Sequence, residues 1–178
     1  EAAVKECHNS GIDVIMITGD YFETALAIAK DLGIAQSREQ AMQGSELNDK
    51  SEAEIREIVK TKRIFARVSP ENKVQLVKAL EQNGEVVAMT GDGVNDAPAI
   101  KNADIGISMG ITGTDVAKDT ADMILVDDNF ATIVNAVEEG RVIFANIKKF
   151  VSFLLSCNIA EVAIVFLSIL FGLPSPLT

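Results

Sequence analysis

The sequence predicts an α/β domain built on a doubly wound parallel sheet, continuing into one transmembrane helix. Three observations carry this. Short apolar segments without polar alternation recur as far as Val126, helical patterns separate them, and a proline-free helical pattern starting at Phe130 ends in an almost uncharged stretch.

The apolar segments are residues 13–17, 63–66, 86–90, 104–108 and 123–126, rich in Val, Ile, Met and Ala. Such runs suit strands buried on both faces of a parallel sheet. Residues 23–32 carry apolar side chains at helical spacing and stop at Gly33, a helix-closing residue. Residues 36–50 are polar and read as a surface excursion. Ser51 and Glu54 fit a reciprocal cap ahead of Ile55, Ile58 and Val59. Ser69-Pro70 fits an N-cap with proline at the first helical position. Val74, Leu76, Val77 and Leu80 follow it, and Gly84 ends the pattern.

From Phe130 the helical pattern runs to about Phe171, interrupted once by Gly140 at about 1 kcal/mol against Ala. A helix of that length reaches roughly 60 Å, beyond what a domain of this size needs. Residues 150–173 hold one charge, Glu161, and are long enough to span a bilayer. Lys148 and Lys149 precede the span and assign that end to the cytoplasm. A buried core helix would be shorter, and a signal anchor would lie at the other end of the chain. The expected layout is a cytoplasmic domain over residues 1–140, a stalk over 130–150, the span over 150–173 and an extracytoplasmic loop beginning at 174–178. The chain starts inside an amphipathic run and stops just past the apolar stretch, so it reads as a fragment.

A net charge of −10 over 178 residues leaves no Lys/Arg surface for phosphate backbones, which argues against a nucleic-acid partner. Cys7 and Cys157 are too few for a metal cluster or a disulfide framework and read as packing residues. His8, the only histidine, lies in an early helical pattern and receives no role.

Open parallel sheets bind ligands beyond the carboxyl ends of their strands. Three polar clusters fall there: Thr18-Gly19-Asp20, Arg67 with Lys73 on the following helix, and Thr90-Gly91-Asp92-Gly93-Val94-Asn95-Asp96. In the last, Gly91 and Gly93 would allow unusual backbone angles and close approach to an anion. Asp92, Asn95 and Asp96 crowd hard oxygen ligands into one turn, as magnesium requires beside phosphate and water. Plainer readings exist: Asp96 as a cap for the helix near Pro98, Lys73 as a surface lysine, Thr18 as a cap after Asp20. Asp92 resists one, because carboxylates this close repel unless a cation lies between them. For phosphoryl transfer the roles cohere, with Thr18 and Lys73 on the transferred oxygens and magnesium offsetting developing charge.

Within the span, Asn158 and Glu161 share a helix face. An ionisable residue at that depth is a functional candidate, although a structural pair binding a neighbouring helix is the plain alternative. Calcium prefers carboxylate and amide oxygens.

Met16-Ile17-Thr18-Gly19-Asp20, Phe65-Ala66-Arg67-Val68-Ser69-Pro70-Glu71-Asn72-Lys73 and Met89-Thr90-Gly91-Asp92-Gly93-Val94-Asn95-Asp96-Ala97-Pro98 together resemble the P-type ATPases. Within them the chain looks like the calcium pumps of the sarcoplasmic-reticulum class, in a bacterial form, over essentially its whole length. The resemblance implies a haloacid-dehalogenase-like phosphorylation domain using ATP and Mg2+. It places Asp92 on magnesium with Asn95 and Asp96 in support, and makes Thr18, Lys73 and Asp92 the catalytic set. It sets Thr18, Gly19, Asp20, Arg67, Lys73 and Asn95 along the ATP phosphates and ribose. Asn158 and Glu161 match transport-site ligands for Ca2+ on the fifth membrane helix. The implied partners are ATP, the transported cation, the lipid bilayer of a bacterial plasma membrane, and the pump's other domains and helices. The Asp-Lys-Thr-Gly-Thr motif bearing the phosphorylated aspartate is absent, since Thr112-Gly113-Thr114-Asp115 shares residue types but not order. The isolated chain is therefore expected to form no phosphoenzyme. A pump for Na+, K+ or H+ shares the same cytoplasmic motifs, and a membrane-tethered phosphatase of this fold also stays open.

Overall fold

A computed structural model describes residues 1–172 and Pro174. Three parallel strands, β1 (Met16–Thr18), β2 (Ala41–Gln43) and β3 (Ile64–Ala66), form one sheet in the order β1-β3-β2. Three more, β4 (Ala88–Gly91), β5 (Ile105–Met109) and β6 (Met123–Leu125), form a second in the order β4-β5-β6. The helices are α1 (Ala2–Asn9), α2 (Phe22–Leu32), α3 (Glu52–Thr61), α4 (Pro70–Gln82), α5 (Ala97–Asn102), α6 (Asp115–Thr120) and α7 (Phe130–Leu170). Two compact units result, Glu1–Val134 and the remainder from Asn135.

Each of the five expected segments overlaps a strand, but the first strand begins later than its pattern. Register against β3 starts at Met16 opposite Ile64, while Asp13 instead accepts a hydrogen bond from Arg63 at 2.9 Å. The surface-excursion reading of residues 36–50 is corrected. That segment holds β2, and Ala41, Met42 and Leu47 are buried. Three-residue strands flanked by polar caps have no visible period; pairing with β3 creates β2. A 3₁₀ turn after β2 presses Gly44 so close to the end of β3 that a Cβ would lie 2.6 Å from the Arg67 carbonyl oxygen.

The expected caps form. Ser51 and Glu54 bond reciprocally, and the Ser51 N–H and hydroxyl hold the Glu54 carboxyl at about 2. Ser69 caps α4 with Asn72 at its third position, and the buried Asn72 amide also donates to Asn48 at 3.1 Å. Gly33 and Gly84 end their helices at φ 78° and 86°. The core is divided by α4. Leu76 packs in the cluster around Phe65, Val77 in the cluster around Met89, and Ile17 and Leu80 border both.

α7 begins inside the first unit's core, where Ile133 and Val134 are buried. Within α7 lies an 18-residue window of mean hydropathy 2.2, long and apolar enough to cross a membrane. Leu173 and residues 175–178 lie outside the described residues, so the expected loop start falls there. Cys7 is buried as expected, and Cys157 is exposed on α7.

Candidate phosphoryl-transfer site

The turn after β4 is organised by Asp96. Its Oδ2 accepts the backbone N–H groups of Asp92 (3.3 Å) and Gly93 (3.0 Å). Its Oδ1 accepts from the Lys73 Nζ at 2.5 Å, with both side chains largely buried. Asp96 therefore turns back into the loop and does not cap α5, which has no side-chain cap. Lys73 is likewise no surface lysine. Gly91 matters for space, not for backbone angle: neither Gly91 nor Gly93 has a positive φ, and a Cβ on Gly91 would lie 2.7 Å from the Asp96 Cγ. The close anionic approach at Gly91 is thus made by the protein's own carboxylate.

Burial pushes the Asp96 carboxyl up, but the Lys73 ammonium and the Gly93 and Asp92 N–H groups outweigh it and hold it below its ordinary value. A depressed folded value means stability that is present above the ordinary carboxylate range, near pH 4, and lost as pH falls through the folded value. Asp96→Asn is expected to flatten the acid limb of a Tm-against-pH profile below the ordinary carboxylate range, near pH 4. An unchanged acid slope would count against this account.

With both Asp96 oxygens engaged, the open donors of the turn are Asp92 and Asn95. Their side chains are exposed and, among the described residues, make no hydrogen bond. One free carboxylate with a neighbouring amide oxygen fits a magnesium ion that keeps water and phosphate as its other ligands. The described residues hold no cluster of three or more His, Cys, Asp or Glu that forms a cage alone. The Asp92 carbonyl accepts the Thr114 N–H at 2.8 Å, which anchors the turn from its other side.

A second group lies at the ends of β1 and β3. The Thr18 hydroxyl donates to Asp20 Oδ2 and accepts the Asp20 N–H, both at 3.1 Å, so it shapes this turn and does not cap α2. The Thr18 and Asp20 carbonyls accept the N–H groups of Val68 and Arg67, each at 3.2 Å. A Cβ on Gly19 would meet nothing within 4 Å, so packing within the chain does not require glycine there. Arg67 has a φ of +52°, which a non-glycine residue adopts only when neighbours fix it. The close backbone of Gly44 and the Tyr21 ring, 4.1 Å from the guanidinium carbon, supply that fixing. Tyr21 had no sequence signal, because its contact is set by a residue far along the chain. The structure thus joins Lys73, on α4, to the Asp92–Asp96 turn, and the Arg67–Val68 backbone to Thr18 and Asp20.

Asn158 and Glu161 lie on α7 in the second unit, both exposed and unbonded among the described residues. Asn158 lines a shallow groove with Leu155, Ile159, Val162 and Phe166, and Glu161 stands outside it.

A parallel α/β domain with polar turns at its strand ends matches the haloacid dehalogenase-like hydrolases over residues 1–104, and the chain belongs to that family. Within it, the relatives are cation-transporting P-type ATPases, which are ATP-hydrolysing translocases. A calcium-transporting ATPase of Bacillus subtilis (strain 168) is 55% identical over 98% of this chain and 20% of its own length. A P-type sodium-transporting ATPase of Toxoplasma gondii is 50% identical over 98% of this chain and 14% of its own. A zinc-transporting PIB-type ATPase solved in its E2.Pi state aligns at a TM-score of 0.71 and 32% identity, over 98% of this chain and 23% of that one. The chain spans about a fifth of the length of the curated relatives it matches.

Proposed function

We propose that these residues form the C-terminal part of the phosphorylation domain (1–140), the stalk (130–150) and the fifth membrane helix (150–173) of an ATP-driven cation pump in a bacterial plasma membrane, with Ca2+ as cargo. The observation that carries the reading is the turn in which Lys73 and two backbone N–H groups occupy Asp96, leaving Asp92 and Asn95 open. On this reading Asp92 binds Mg2+ directly, Asn95 supports it, and Asp96 acts on the metal by shaping the turn. Bound there, Mg2+ would offset charge on the transferred phosphoryl group. Lys73 and Thr18 neutralise and orient the phosphoryl oxygens, while Gly19, Asp20 and Arg67 lie along the ATP phosphates and ribose.

The acceptor aspartate belongs to a strand outside these residues. β1 and β4 are both edge strands, and Ile17 and α4 border the clusters on either side. On this reading one further strand pairs with both edges, its carboxyl end between Thr18 and Asp92. The relatives transport calcium, sodium or zinc, and an amide with a carboxylate on α7 suits a hard cation over zinc, which favours nitrogen and sulfur.

Labelling by γ-phosphate-labelled ATP in membranes carrying the full-length protein tests this. Acid-stable label that appears only with Ca2+ is expected; label driven by another cation would reassign the cargo, and none with any cation would overturn the pump. In the same preparation Tyr21→Leu is expected to weaken ATP affinity about two- to fivefold, the size of an exposed cation–π contact, with Tyr21→Phe near wild type. Equal affinity in all three would remove Tyr21 from the site.

A further inference from the structure

Asp128, between β6 and α7, is a non-glycine residue at φ +52°. Its carboxylate explains why that backbone is held. Oδ1 accepts the Ile111 N–H at 2.9 Å, and Oδ2 accepts the Thr112 N–H and hydroxyl, both at 2.8 Å. The loop it grips is packed without slack: a Cβ on Gly110 would lie 2.6 Å from the Leu125 carbonyl oxygen, and one on Gly113 would lie 2.8 Å from the Ser108 Oγ. The loop ends at Thr114, whose N–H reaches the Asp92 carbonyl at 2.8 Å and whose hydroxyl caps α6. On the other side, Asp127 accepts the Thr132 hydroxyl at 2.7 Å and the Asn129 N–H at 3.1 Å, fixing the first turn of α7. The Ile111 N–H foremost holds the Asp128 carboxyl below its ordinary value, as expected for an ionised clamp.

We propose that Asp128 is a positioning residue for the magnesium turn, fixing the Asp92 backbone through the 110–114 loop and linking that turn to the start of α7. The proposal rests on the assignment of Asp92 to magnesium. Partners that orient a metal ligand from behind commonly change metal affinity 10–100-fold when removed.

The experiment uses Asp128→Ala, Asp128→Asn and Thr112→Val in the full-length protein. One readout is the Mg2+ concentration for half-maximal phosphorylation by inorganic phosphate. The other is hydrogen–deuterium exchange across residues 90–96, without metal or phosphate. Asp128→Ala is expected to raise the Mg2+ midpoint about tenfold and to speed exchange in that segment. Thr112→Val, which loses one of the three bonds, shifts both less. A staple serving stability alone would lower the amount of phosphorylated protein without moving the midpoint. A wild-type midpoint and wild-type exchange in folded Asp128→Ala overturn the proposal. If that variant does not fold, unchanged values in the other two overturn it. Should the wild type take no label from phosphate, the pump reading fails, and exchange alone decides whether Asp128 orders the turn.

Discussion

Asp92→Asn in the full-length protein is expected to lower Mg2+-dependent phosphorylation about a hundredfold or more, the scale of losing a group aimed at developing charge. The substitution keeps the size of the side chain and removes its charge. Asp96, four residues on, offers no substitute, because its oxygens are bound to Lys73 and to the turn's own N–H groups. The fold should survive, since the Asp92 side chain is exposed and its structural bond is made by the backbone carbonyl to Thr114. Phosphoenzyme measured from labelled ATP at fixed Mg2+ decides it, and wild-type levels would falsify the metal role.

Glu161→Gln is expected to abolish activation by Ca2+ while leaving phosphorylation by inorganic phosphate intact. The two effects separate because the side chain lies on α7, in a different unit from the Asp92–Asp96 turn. If Glu161 is a ligand of the proposed calcium site, its loss takes away charge that water cannot replace in mid-span. The measurement is the Ca2+ dependence of labelling by ATP, beside labelling by phosphate without Ca2+. Unaltered Ca2+ affinity would move the transport site off this pair.

Local chemistry made much of this molecule legible in its sequence. Ser51 with Glu54, Ser69 with Pro70, and Gly33 each act within one helical turn, so spacing alone reveals them. The apolar length of α7 and the oxygen-rich turn at Asp92 are likewise properties of contiguous residues. What stayed hidden is made by partners distant along the chain. Lys73 meets Asp96 across 23 positions, Arg67 stacks on Tyr21 from another strand's end, and β2 exists only through its pairing with β3. Gly91 was legible as necessary but for the wrong reason, because its neighbour in space is Asp96.

The edge positions of β1 and β4 bear on biosynthesis. A strand edge with free N–H and C=O groups is a template that accepts whichever strand arrives. In the pump proposed here, an acceptor-bearing strand that precedes these residues can pair with β1 once Thr18 is made, but its other edge stays open until β4 is complete at Gly91. Misfolding should then concentrate on chains stalled before β4, where one edge of that strand is still exposed.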